Sequence, residues 1–171
     1  MELTLQQIAL LLALLSGVRT QRTQPCYAEH ELERAAQRKL QHHYPQPAEP
    51  APSAAGGGGA CPIDLYAQML RSSEHNDRSV SPWRYETVSL PDHYPSSYVR
   101  AACLCSGCIQ INGSKISENF DFNSAALIQN RIFLKRQLCE DGKSYRLVPE
   151  SVKVEVGCTC KKHFMWRTSS A

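Results

Sequence analysis

Cys103-Leu104-Cys105-Ser106-Gly107-Cys108 and Cys158-Thr159-Cys160 together hold five of the eight cysteines of this 171-residue chain. Two cysteines at i and i+2 of a strand point to one face, roughly 7 Å apart, so Cys158 and Cys160 present two sulfurs side by side to a facing strand. Strict alternation along one strand from Tyr98 to Ile111 makes Cys103 and Cys105 the partners, with Cys108 facing the other way. A bulge centred on Gly107 shifts that alternation and lets Cys103 and Cys108 share a face. Spacing alone leaves both pairings open.

The environment of these thiols is read from the N-terminus. Residues 8–15, Ile-Ala-Leu-Leu-Leu-Ala-Leu-Leu, form a short apolar run followed by Ser16 and Gly17, the pattern of a secretory signal peptide cleaved near residues 17–21. The run is too short to span a bilayer, and no membrane insertion is expected after the signal is removed. In an oxidising compartment an even number of clustered cysteines reads as a disulfide framework, here open to 105 connectivities. The formal charge of +3 survives removal of residues 1–20, which takes away Glu2 and Arg19 together. That balance argues against nucleic acid as a partner.

The segments divide as follows: signal peptide 1–20, N-terminal extension with a Pro/Gly-rich linker 21–60, one disulfide-rich domain 61–165 and a tail 166–171. Within the extension, Ala28 to Leu40 carries helix formers with acids first and bases last, and its few apolar residues predict a helix solvated on all sides. Residues 45–60 contain Pro45, Pro47, Pro50, Pro52 and Gly56 to Gly59, a composition read as a flexible linker.

Asp64 to Leu70 suits one or two helical turns, and the polar stretch Arg71 to Arg78 suits a loop. Ser79 to Val88 alternates like a strand with Trp83 and Tyr85 on one face, and Pro82 places it at an edge or at the strand start. Asn112-Gly113 is a hairpin signal, and Asn112-Gly113-Ser114 is also an N-glycosylation acceptor. Ala125 to Leu138 and the Val152-Val154-Val156 alternation predict two further strands, separated by a turn at Glu140 to Lys143.

No catalytic constellation emerges: the six histidines are scattered, and no paired-carboxylate, nucleophile-elbow or His-Glu-x-x-His pattern is present. Cofactors and metals are not expected. Cys105-x-x-Cys108 with Cys158-x-Cys160 offers four thiolates, but the second spacing is wrong for a common zinc ribbon and secretion favours oxidation. Lys161 and Lys162 allow only weak heparan sulfate binding. A secreted matrix- or heparin-binding structural protein without a receptor is the alternative functional class.

Ser79-Val80-Ser81-Pro82-Trp83-Arg84-Tyr85, Tyr94-Pro95, Cys103 to Ile109 and Val156-Gly157-Cys158-Thr159-Cys160, in this order and at these separations, resemble the interleukin-17 cytokine family. The resemblance covers roughly residues 61 to 160, and the early Cys26-Tyr27 and the short tail are most similar to the C branch of the family and next to the D branch. It implies an all-β, cystine-knot-like fold of long antiparallel hairpins, to which the composition of residues 21–60 adds a flexible, partly helical N-terminal extension. It also implies a secreted homodimer that binds interleukin-17 receptor ectodomains and triggers pro-inflammatory and host-defence signalling.

By the family pattern Cys103 pairs with Cys158 and Cys108 with Cys160, which calls for a bulge near Gly107. Ser81 and Ser124 stand where the wider cystine-knot class has a third disulfide. Cys61 and Cys139 match family cysteines that bond between protomers, while Cys26 and Cys105 are left over. Trp83 and Tyr85 are the receptor-binding candidates, their competing role being core packing.

Overall fold

The computed structural model describes residues 24–53 and 60–162. The signal-peptide run, the Gly56 to Gly59 stretch and the tail 166–171 lie outside the described residues. Helix α1 (Glu29–His43) is followed by a 3-10 turn (Ile63–Leu65) and two one-turn helices, α2 (Tyr66–Met69) and α3 (His75–Arg78). Seven strands complete the order: β1 (Trp83–Ser89), β2 (His93–Tyr94), β3 (Ser97–Cys103), β4 (Cys108–Asn112), β5 (Lys115–Asn119), β6 (Phe122–Leu138) and β7 (Tyr145–Lys162). The strands form three antiparallel sheets, β1-β3, β4-β5 and β2-β6-β7. This is an all-β, cystine-knot-like architecture.

The long β6–β7 hairpin is the spine, and two local features shape it. At its tip Asp141 accepts hydrogen bonds from the amides of Lys143 and Ser144 and from the Ser144 hydroxyl, and Gly142 takes φ 64°. The turn expected at Glu140-Asp141-Gly142-Lys143 is thus closed by Asx-type bonding from the Asp141 side chain. Midway, Leu127 faces Gly157 while Ile128 faces Glu155, so Val156 is an extra residue on β7. A bulge of this kind bends the strand and resets which side chains face inward.

Two expectations about the strands are corrected. The stretch from Tyr98 to Ile111 is two strands in different sheets, because Gly107 turns the chain instead of bulging it. A Cβ on Gly107 would lie 2.6 Å from the Asn119 carbonyl oxygen, and Glu118 accepts hydrogen bonds from the amides of Ser106 (2.9 Å) and Gly107 (2.6 Å). Strand β7 begins at Tyr145, well before Val152. It continues through Pro149 because β7 pairs only with β6, leaving an outer edge where a missing N–H costs no ladder bond.

The core is divided into small clusters. Tyr98, Phe133 and Val154 fill one, and Tyr66, Cys105 and Ile109 another. The third overturns the reading of α1 as solvated: Leu32, Ala35 and Ala36 are buried against Leu134 and Leu147. These three positions follow an i, i+3, i+4 pattern, and the alanines let the helix approach the hairpin closely. Lys39 reinforces the docking by donating to the Leu147 carbonyl at 2.8 Å, and burial pushes its ammonium below the usual lysine range.

Residues 45–53 are likewise not a free linker. The Gln46 amide donates to the Ile132 carbonyl (2.8 Å), Arg131 pairs with Glu49 (3.4 Å), and the Ser53 amide donates to the Tyr85 carbonyl (2.9 Å).

Several carboxylates set the acid response. Hydrogen bonding from Arg84 holds the Glu86 carboxyl below the usual range, the Ser144 hydroxyl does so for Asp141, and Lys135 for Glu150. Because these groups bind fewer protons folded than unfolded, their contribution is complete above the unfolded carboxylate range of about pH 4.5 and disappears as pH falls through their lower folded values. Thermal melts at stepped pH are expected to hold near neutrality and to drop progressively below about pH 4.5.

Candidate functional site

Two disulfides tie β3, β4 and β7 together. Cys103 is bonded to Cys158 and Cys108 to Cys160, with Cα–Cα distances of 5.8 and 6.0 Å. With the backbone of 103–108 and 158–160 they close a ring. The Val80–Pro82 segment is bound across one side of it, where the Ile109 amide donates to the Val80 carbonyl (2.8 Å) and the Leu104 amide to the Pro82 carbonyl (2.9 Å).

Opposite, Ser124 pairs in register with Cys160 and its amide donates to the Ser106 carbonyl at 2.9 Å. The fully buried Ser81 and the half-buried Ser124 thereby bring their hydroxyl oxygens to 2.6 Å from each other. A hydroxyl pair at this distance satisfies two polar groups that would otherwise be costly to bury.

Cys61 and Cys139, expected to bond between protomers, instead take up the two unassigned cysteines, Cys105 and Cys26. Cys61 is bonded to Cys105 and Cys26 to Cys139, all within one chain, and no free cysteine remains among the described residues. The reason is local packing. Tyr66 on α2 sinks beside Ile109 and Cys105 and carries Cys61 to 4.3 Å from Cys105, Cα to Cα. Docking of α1 carries Cys26 to the tip of the β6–β7 hairpin, where Tyr27 forms a bridge with Tyr145.

Cys61, Cys105 and Glu118 are also the one group of metal-type ligands found among the described residues. Both sulfurs are locked in a disulfide, and the carboxylate caps two backbone amides.

Trp83 and Tyr85 stand edge to face on β1 with ring centroids 6.3 Å apart, both half-buried. They line different clefts. Trp83 borders an open cleft of about 550 Å³ between the Cys61–Leu65 turn, Met69 and Leu104. Its indole N–H is buried without a partner, and its ring lies over Gly157. The exposed Leu65 forms part of the rim. Asn76 fixes the floor by donating to the Trp83 carbonyl at 2.9 Å, a role hidden by its position in a polar stretch that reads as a loop. Tyr85 instead lies with Val99, Arg131 and Val156 beneath Ala48 to Pro50.

The strands that build the ring and carry Trp83 and Tyr85 lie within a stretch that matches a known family. The interleukin-17 family model matches residues 79–162. Over these residues the chain is similar to the interleukin-17 family. It is 37% identical to mouse (Mus musculus) interleukin-17C over 110 residues, 60% of this chain and 55% of that one. To human (Homo sapiens) interleukin-17C it is 36% identical over 107 residues, 58% and 53% of the two chains. To human interleukin-17D it is 36% identical over 122 residues, 70% and 57% of the two chains. The chain thus spans about half the length of the curated interleukin-17C relatives it matches.

Asn112 is exposed at the end of the β4–β5 hairpin. Gly113 occupies the first central turn position with φ 59°, and Ser114 does not share the positive φ, so the turn is of the II′ kind. An exposed acceptor Asn at a tight turn is open to glycosylation enzymes, so expression in a eukaryotic host is expected to yield a product whose mass falls on glycosidase treatment. Asn112→Gln should abolish the shift.

Proposed function

We propose that this chain is the precursor of a secreted interleukin-17-type cytokine, a receptor ligand rather than an enzyme, acting as a homodimer on interleukin-17 receptor ectodomains. The observation that carries this reading is the family match over residues 79–162, the same residues that form the disulfide ring and present Trp83. With every described cysteine bonded inside its own chain, the dimer is held without a covalent link. Leu127 and Ile128 at the bulge and Val80 and Phe122 beside Cys160 supply exposed apolar surface for such an association. Their separation along the hairpin suits an extended interface rather than a single knob.

The boundaries read from the sequence belong to the same proposal: cleavage of residues 1–20, an extension to residue 60 and a cytokine domain over 61–165. No helix among the described residues is long and apolar enough to cross a membrane. The test is to express the full chain, sequence the N-terminus of the secreted product, and titrate it against cells bearing single interleukin-17 receptor subunits. A new N-terminus near residues 17–21, a dimer by sedimentation that runs as monomer on a non-reducing gel, and receptor-dependent signalling are expected. Trp83→Ala should weaken signalling at least tenfold with the melting curve little changed. Full activity of Trp83→Ala would assign Trp83 to packing, and silence on every receptor would remove the cytokine reading.

A further inference from the structure

Strand β1 has one edge on β3 and one edge turned outward. Both backbone groups of Tyr85 face outward: its amide donates to the Ser53 hydroxyl (2.9 Å) and its carbonyl accepts from the Ser53 amide (2.9 Å). Ser53 thus occupies the outer edge of β1 at Tyr85 as a residue of an added strand would, and the stretch from Gln46 reaches it from β6 by crossing in front of Tyr85, Val99 and Val156.

The fit is loose. A cleft of about 440 Å³ remains beneath Ala48 to Pro50, and among the described residues the stretch is anchored by Gln46, by the Glu49–Arg131 pair and by Ser53. Pro47, Pro50 and Pro52 have no N–H to contribute, which limits how firmly the segment binds a strand edge. Segments with few buried apolar contacts and few backbone hydrogen bonds open at low free energy while the rest of a domain stays folded. The same segment is retained at both ends, by Cys26–Cys139 before it and Cys61–Cys105 after it.

We infer that residues 46–53 are a tethered strap that occupies the β1 edge and the Tyr85 face, and that lifts without unfolding the domain to admit an extended segment of a receptor ectodomain. Extended receptor backbone fits because the groups Ser53 satisfies are the outward amide and carbonyl of a strand edge, the recognition elements of strand addition. This inference rests on the receptor reading above. The strap lowers apparent affinity by the fraction of time it is closed.

Two measurements test it. In native-state hydrogen exchange of the full secreted chain, the Tyr85 amide is expected to exchange at least a hundredfold faster than those of Arg84 and Glu86, which face β3 in the ladder. Exchange of Tyr85 in step with these neighbours would show that the strap opens only on unfolding and would overturn the inference.

For binding, Ser53→Pro removes both bonds to Tyr85 and Glu49→Ala removes the pair with Arg131, the second serving if the first misfolds. Either is expected to bind receptor ectodomain more tightly, Ser53→Pro by roughly tenfold. Unchanged or weaker binding, with Tyr85 exchanging fast, would show that the strap does not gate the site or is itself a contact, and would overturn the inference while leaving the receptor reading intact. Absence of binding by wild type and both variants would remove the receptor reading and the gating with it, whatever the exchange result.

Discussion

Removing the Cys108–Cys160 bond, as Cys108→Ser with Cys160→Ser, is expected to abolish secretion, whereas removing Cys61–Cys105 as Cys61→Ser with Cys105→Ser is expected to leave a secreted but less stable protein. Paired replacement avoids stray thiols and isolates each bond. Losing a native disulfide from a small secreted domain costs roughly 2 to 5 kcal/mol, a large share of a domain's total stability.

The location of each bond decides the contrast. Cys108–Cys160 joins β4 to the end of β7, and the β4–β5 sheet has no strand neighbour to hold it in place. Cys61–Cys105 fastens the turn before α2 to a cluster that Tyr66 and Ile109 also hold. Yield in the medium and chemical denaturation of whatever is secreted are the readouts. Equal yields from the two double variants would show that the ring bond is not the more important of the two.

The opposite change is expected at the serine pair. Ser81→Cys with Ser124→Cys should form a third bond through the ring, because the two oxygens already sit 2.6 Å apart at fully and partly buried positions. A bond between residues 81 and 124 has a ceiling of about 4 kcal/mol in the chain-entropy model. The existing bonds already restrict that loop, so a gain of about 1 to 3 kcal/mol is the expected result, visible as a rise of several degrees in melting temperature. Each single variant should lower stability, because it disturbs the hydroxyl pair and leaves a thiol free to scramble the other bonds. A double variant that melts at or below wild type, with the new bond present by mapping, would show that the serines sit in a geometry the disulfide cannot adopt without strain.

The features legible in the sequence are those set by local chemistry. The strand read from Ser79 to Val88, which in the structure begins at Trp83, the Gly113 turn and the Asp141-Gly142 tip each depend on a few neighbouring residues. Where long-range packing decides, the residues mislead. Helix α1 reads as solvated because only Leu32 and Leu40 are large apolar residues on the face it packs against the hairpin, the rest of the contact being made by alanines. The prolines at 45 to 52 read as a free linker because composition does not show that Ser53 can bond a strand edge 32 residues away.

Cysteine spacing likewise narrows the ring bonds without choosing between them, since parity assumes a continuous strand and the Glu118 cap breaks it. For Cys26, Cys61, Cys105 and Cys139, sequence separations of 113 and 44 residues give no local signal at all. Their partners follow from where α1 and α2 dock.

The two outer disulfides also decide what proteolysis can do to this molecule. A cut anywhere between Cys26 and Cys61 leaves both new ends bonded to the domain, one through Cys139 and the other through Cys105. Such a nick adds one water to the mass and sheds nothing. The nicked protein keeps its size on a column, and its fragments part only when a reductant is added. Cleavage in this region would therefore loosen the extension without discarding it, and a purified preparation that looks intact unreduced can be a mixture of cut and uncut chains.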